Sequence, residues 1–252
     1  MKILLSPAKL MRQIPSSNLT TPPFLEQKNQ LQKVLTKWKL KDFENNMKLS
    51  AEKAKETKAL FQQDLADFNQ ELTPAVLAYI GEAFKALSAE ALTQIEIKYL
   101  HQNLFILSGY YGILKASDGI VPYRLEMQQK MSISKKHKSL YAFWRPLVEN
   151  YLNVNLLEDE PILNLASDEY SDLIQAPELT ARMIQPVFCQ QKEEQLQRIS
   201  VFSKQARGLM AKWCAENQLT DIKNIQTFNL EGYQFSKAHS TEQVYFFIRK
   251  TK

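Results

Sequence analysis

Leu104-Phe-Ile-Leu-Ser-Gly109-Tyr-Tyr-Gly112-Ile-Leu-Lys115-Ala-Ser-Asp118-Gly119-Ile-Val-Pro-Tyr-Arg124-Leu-Glu126-Met127 holds three of the 6 glycines in a chain of 252 residues. Average usage is about 7% glycine, so the residue is scarce here and its clustering carries information. Leu104 to Leu107 is an unbroken apolar run, the pattern of a strand buried on both faces. The glycines then mark backbone that turns or approaches a neighbour closely. Lys115, Asp118, Arg124 and Glu126 follow. In open α/β sheets ligands collect beyond the carboxyl ends of strands, and this segment has that layout.

Outward from this stretch the same pattern recurs. Lys2-Ile-Leu-Leu5 is a short apolar strand stopped by Ser6-Pro7. Further apolar or alternating runs at 104–107, 162–165, 183–188, 199–202, 229–235 and 244–249 predict strands. Helical patterns at 140–156, 168–175 and 203–217 separate several of them. Residues 12–24, with Pro15, Pro22 and Pro23, read as a loop. Residues 25 to 100 are helical in pattern. Ser50 caps a helix to about Phe68 with Leu60, Phe61, Leu65 and Phe68 on one face. Thr73-Pro74 opens a second helix and Ser88 a third. The runs 183–188 and 199–202 flank a polar segment and predict an antiparallel hairpin with a long loop. The expectation is an α/β fold with a mixed sheet, one domain over residues 1–252, and a helical elaboration at about 25–100.

Composition narrows the function. Hydrophobic residues are 44% and charged residues 23%, which suits a globular core, and the net charge of +5 is compatible with a polyanionic partner. No run approaches the length of a membrane span, and the amino terminus is too short in apolar residues for a leader. Cys189 and Cys214 suit buried thiols in a reducing compartment, so a cytoplasmic protein is expected. His101, His137 and His239 stand in no metal-binding spacing, and no phosphate-binding glycine loop occurs. Neither a metal nor a cofactor is expected.

Four segments place polar residues after a predicted strand: Ser6-Pro-Ala-Lys9, the glycine-rich stretch, Asn164-Leu-Ala-Ser-Asp-Glu169, and Ser203-Lys-Gln-Ala-Arg207. If the strands run side by side and point one way, these groups converge. Lys9, Lys115, Arg124, Lys204 and Arg207 are then candidate phosphate contacts. Ser6, Gly109, Tyr123, Glu126 and Asn164 are candidate ligand contacts. Lys204 and Arg207 share one helix face, and after a Ser203 cap they would sit at a helix amino end, where an anion is favoured. The ordinary alternative is an exposed pair on an amphipathic helix. Gly208 weakens that helix by about 1 kcal/mol relative to alanine, which makes sense where a backbone or ligand packs against it. Ser167-Asp168-Glu169 reads as a helix cap with acids in the first turn. Arg124 and Glu126 share a face if extended, with a mutual ion pair as the plain alternative. No residue is identifiable as catalytic.

Five motifs in register, Lys2–Lys9, Leu107–Leu114, Pro122–Met127, Asn164–Tyr170 and Ala206–Met210, resemble the YaaA family of bacterial peroxide-stress proteins. The resemblance covers essentially the whole chain. It implies a cytoplasmic protein that limits damage from hydrogen peroxide, is linked to lower free iron, and binds DNA through a positively charged cleft. It also implies a helix-hairpin-helix element, for which residues 75–87 around Gly81 and residues 219–233 around Gly232 are the two candidates. Leu114-Lys-Ala-Ser-Asp118 stands where relatives often read Leu-Arg-Pro-Leu-Asp, and Gln128 where glycine is frequent. Beside DNA binding, the mixture of carboxylates and cations leaves open an enzyme on a nucleotide, nucleobase or other phosphorylated small molecule.

Overall fold

The computed structural model describes residues 1–66, 71–174 and 179–250. In chain order the first elements are β1 (Lys2–Leu5), β2 (Leu10–Met11), α1 (Leu25–Leu35), α2 (Leu40–Met47) and α3 (Ala51–Ala66). Then come β3 (Thr73–Pro74), α4 (Ala75–Ala78), β4 (Tyr79–Ile80), α5 (Glu82–Leu87) and α6 (Gln94–Asn103). The middle contains β5 (Leu104–Ser108), β6 (Gly112–Lys115), β7 (Gly119–Ile120), α7 (Leu140–Asn155), β8 (Ile162–Leu165) and α8 (Asp168–Ser171). The chain closes with β9 (Met183–Lys192), β10 (Gln195–Gln197), α9 (Ser200–Glu216), β11 (Gln234–Ser236) and β12 (Val244–Lys250).

The main sheet runs β11-β12-β9-β8-β1-β5-β6, with β10 on β9. The pairs β12–β9, β9–β8, β8–β1 and β1–β5 are parallel, while β6, β10 and β11 join antiparallel. This is the expected mixed sheet with helices around it, an α/β fold. Ile3, Leu4, Leu5, Leu104, Ile106, Leu107, Ile162 and Leu163 are all buried, which explains why these strands read as continuous apolar runs. By chain order the five parallel strands lie 2-1-3-4-5, a common doubly wound order. From β1 the chain moves outward to β5 on one side, then returns to add β8, β9 and β12 on the other. The topological switch point therefore falls between β1 and β8, and such sheets bind ligands there.

Several boundaries differ from the sequence expectation. Ile199–Phe202 is not a strand. α9 starts at Ser200, and β9 pairs instead with Gln195–Gln197 through a tight turn in which Glu193 takes φ 54°. Ser203, Ala206, Arg207, Met210, Ala211 and Cys214 are buried at helical spacing, and this period outweighs the short apolar run before it. Ser203 therefore caps nothing; its hydroxyl donates to the Phe188 carbonyl at 3.3 Å. Ser88 opens only a single 3-10 turn, Ala89–Ala91. It ends α5 in the left-handed region at φ 48°, and α6 begins after Thr93, whose side chain and that of Glu96 form a reciprocal capping box. Pro74 lies one residue before α4, which is a single turn. The run 229–235 is not a continuous strand: it holds a 3-10 turn at Leu230–Gly232, and only its end enters β11. Phe68, the expected end of α3, and residue 175 lie outside the described residues.

Neither candidate stretch shows a helix-hairpin-helix. Between α4 and α5 the chain is strand-like, β4 pairs with β2, and Gly81 is extended at φ −166°. Residues 219–233 contain two 3-10 turns, Ile222–Thr227 and Leu230–Gly232.

Candidate functional site

A cavity of ≈ 540 Å³ opens beyond the carboxyl ends of β1 and β8. Ser6 to Leu10 form one wall, following β1, and Ser167, Glu169 and Tyr170 form another, following β8. Residues 80–85, from β4 into α5, and Tyr123–Glu126 close the sides. Lys204 and Arg207 reach it from α9, and Lys53 from α3. The switch point itself is pinned by Ser6, whose hydroxyl accepts from the Ser167 amide at 2.8 Å and lies 3.1 Å from the Ser167 hydroxyl. Ser167 precedes α8 as expected, but its side chain meets Ser6 rather than capping the helix.

Tyr123 holds the side wall. Its hydroxyl is 2.8 Å from that of Tyr79 and 2.7 Å from Ser108 Oγ, which in turn accepts from the amides of Tyr110 and Tyr111. Burial drives the Tyr123 phenol up to about 12, so it stays protonated and serves as a fixed hydrogen-bond bridge between β5 and the wall. Arg124 and Glu126 follow on this anchored segment. They share the cavity as their alternation predicts, yet they do not pair: Glu126 Oε1 meets Lys9 Nζ at 2.7 Å. Glu169 accepts from the Gln128 amide at 3.2 Å. Burial, aided by the nearby Glu126 charge, raises the Glu169 pKa.

Lys9, Arg124, Lys204, Arg207, Ser6, Tyr123 and Glu126 are thus brought together, and three of the candidates are not. Lys115 sits on β6, an antiparallel strand that returns to Phe105 near the start of β5, at the edge of the sheet opposite the cavity. Its amide instead donates to Asp118, whose fully buried carboxylate also accepts from Thr20 Oγ1 at 2.6 Å and locks a loop. Gly109 follows β5 but lies behind the wall, its Cα against the Leu125 carbonyl. Asn164 is buried in β8, donating to Ser171 Oγ and accepting from the Ala166 amide, so it shapes the strand exit without reaching the cavity. No pattern in the sequence points to Lys53, and residues 81–85 enter the sequence reading only within the 75–87 helix-hairpin-helix candidate. Gly81 itself packs closely on the wall after β1, where an added methyl would come within 2.7 Å of the Ala8 Cβ.

The charge balance is lopsided. Lys9, Lys53, Lys85, Arg124, Lys204 and Arg207 outnumber Glu82, Glu126 and Glu169 two to one. Lys9 and Lys85 pair with Glu126 and Glu82 respectively, at 2.7 and 3.5 Å. Arg124, Lys204 and Arg207 have no ion pair among the described residues. Arg207 is also 9% exposed, and burial followed by the neighbouring Arg198 lowers its pKa.

A family model described as "Peroxide stress protein YaaA" matches residues 1–239. The chain belongs to the YaaA family of peroxide stress proteins. It is similar over 99% of its length to a UPF0246 protein of Flavobacterium psychrophilum, 35% identical over 253 residues and all of that relative. A UPF0246 protein of Aliivibrio fischeri is 36% identical over 256 residues, covering 99% of this chain and 98% of its own. Among the described residues of this YaaA-family chain, no helix is long and apolar enough to cross a membrane, and no three His, Cys, Asp or Glu side chains cluster as a metal site.

The cavity carries a pH signature. A carboxyl whose folded pKa lies above its unfolded value costs stability as pH rises through the interval between them, because the unfolded state releases that proton more readily. Glu169 is such a group. Glu169→Gln is expected to melt above wild type at pH 7 to 8, with the gap closing as pH falls below the ordinary carboxyl range. A gap that instead widens toward acid in thermal melts would mean that Glu169 is stabilised as the anion.

Proposed function

We propose that this chain serves the peroxide stress response by binding DNA at the basic cavity and so limits oxidative, iron-dependent damage. The observation that carries the DNA reading is the set of cations with no ion pair among the described residues, Arg124, Lys204 and Arg207, gathered at the switch point between β1 and β8. Phosphate contacts supply most of the affinity of such a surface and make it fall with salt. The family supports the stress role, and the link to iron rests on resemblance to that family alone.

Duplex DNA titrated at several salt concentrations tests this. Lys204 is exposed and Arg124 half-buried, whereas Arg207 is the most covered of the three. Removing both in Arg124→Ala, Lys204→Ala is expected to lower the slope of log K against log salt by about 0.9 for each phosphate no longer neutralised. An unchanged slope would take the pair out of the interface, and a wild type that binds no DNA would end the reading.

A second reading is an enzyme on a nucleotide, nucleobase or other phosphorylated small molecule. What favours it is the Glu126 and Glu169 carboxyl groups in the cavity wall with Lys9 beside them. A groove built only to hold a polyanion gains nothing from such acids, whereas proton transfer needs them.

A further inference from the structure

Arg207 is poorly explained by a paired duplex. Arg207 is nine-tenths covered as a residue, lines the cavity and has neither hydrogen bond nor ion pair among the described residues, so its partly desolvated guanidinium would be compensated by an anion in the cavity. Asp168, the acid whose charge acts on Arg207, is engaged by Arg198 at 3.7 Å. The phosphates of a paired duplex lie on the outside of a rod and meet exposed side chains, so the anion that reaches Arg207 must be narrow. The cavity, at ≈ 540 Å³, falls within the range of about 300 to 1,000 Å³ that holds one small ligand. Phe84, Tyr123 and Tyr170 give it aromatic walls, and Glu126 and Glu169 give it groups able to meet a base edge.

We infer that the cavity receives a single nucleotide unit, with its phosphate on Arg207 and its base among Phe84, Tyr123 and Tyr170. The unit is either a nucleotide turned out of a DNA strand, which rests on the DNA reading above, or a free mononucleotide. Extruded nucleotides in other proteins are read in pockets of this kind, and extrusion is easiest where a base is unpaired.

The full-length chain is titrated with a paired duplex, the same duplex carrying one unpaired nucleotide, the four deoxynucleoside 5′-monophosphates, the corresponding nucleosides and inorganic phosphate. The unpaired site is expected to bind at least about 10-fold more tightly than the paired duplex, the scale of one buried charge-assisted contact. Arg207→Gln is expected to remove the difference between the two duplexes and to weaken binding of the unpaired site by at least about 10-fold. Equal binding of the two duplexes, with no mononucleotide binding, overturns the inference while the DNA reading stands. Mononucleotide binding that depends on Arg207, in a chain that binds no DNA, supports the inference with a free nucleotide as the source and removes the DNA reading. Inorganic phosphate binding as tightly as the mononucleotides overturns the assignment of a nucleotide. The wild-type comparisons decide the matter even if Arg207→Gln folds poorly.

Discussion

Gly208→Ala is expected to lower the melting temperature by about 4 to 8 °C, although alanine is the better helix former. The intrinsic gain is about 1 kcal/mol. Against it, a methyl at position 208 would overlap the carbonyl, carbonyl carbon and Cα of Ala83 on α5. These are backbone atoms of a neighbouring helix, which no rotamer change relieves. Overpacking costs about 1 to 3 kcal/mol and occasionally more, and a backbone clash belongs at the top of that range. A net loss of about 2 kcal/mol in a domain of this size moves the melting point by about 2 to 4 °C per kcal/mol. The displaced helix carries Glu82 and Lys85 of the cavity wall, so ligand affinity should drop even at temperatures where the variant is folded. Thermal melts and DNA titration at 25 °C check the two halves separately. A variant that melts at or above wild type would mean that α5 and α9 are not in backbone contact.

The reason for Gly208 is only half legible in the sequence. A glycine in a helical pattern predicts a close neighbour, and the neighbour is α5, which no local pattern names. The same division runs through the molecule. β1, β5 and β8 are legible because burial on both faces leaves near-continuous apolar runs, β12 because Val244 to Ile248 are apolar although only Tyr245 and Phe247 are buried, and α7 because its period holds over four turns. Ile199–Phe202 misleads because four residues satisfy either period; the buried stripe from Ser203 to Cys214 decides for a helix. The start of α6 is written as Thr93 with Glu96 three residues on, but Ser88 competes with it as a cap. Lys115 misleads because the end of a strand in sequence does not say which edge of the sheet it reaches, and the β5–β6 hairpin turns it away. Arg207 reads in sequence as a cation at a helix amino end. It lies two turns inside α9, and what singles it out is burial without a partner among the described residues.

Trp144→Ala is expected to produce the larger loss, about 3 to 5 kcal/mol for the deleted side chain. The indole is fully buried on α7 and packs against Phe143 at 4.8 Å and Phe24 at 6.0 Å between ring centroids. It also fills the space over Gly112, where any Cβ would come within 2.6 Å of its ring and where φ of +75° already disfavours a side chain. Its Nε1 donates to the Gly109 carbonyl at 2.9 Å, and Gly109 backs onto Leu125 between Arg124 and Glu126. The glycine-rich turn and the cavity wall are therefore held by one side chain from a distant helix. Trp144→Phe separates the two contributions. It keeps most of the packing and leaves the buried carbonyl unpaired, at about 1 to 3 kcal/mol. Urea titrations of both variants should rank them wild type, Phe, Ala in decreasing stability. A Trp144→Ala protein within about 1 kcal/mol of wild type would show that the turn stands without the indole, since a loss that small is below any value expected for emptying a packed aromatic site.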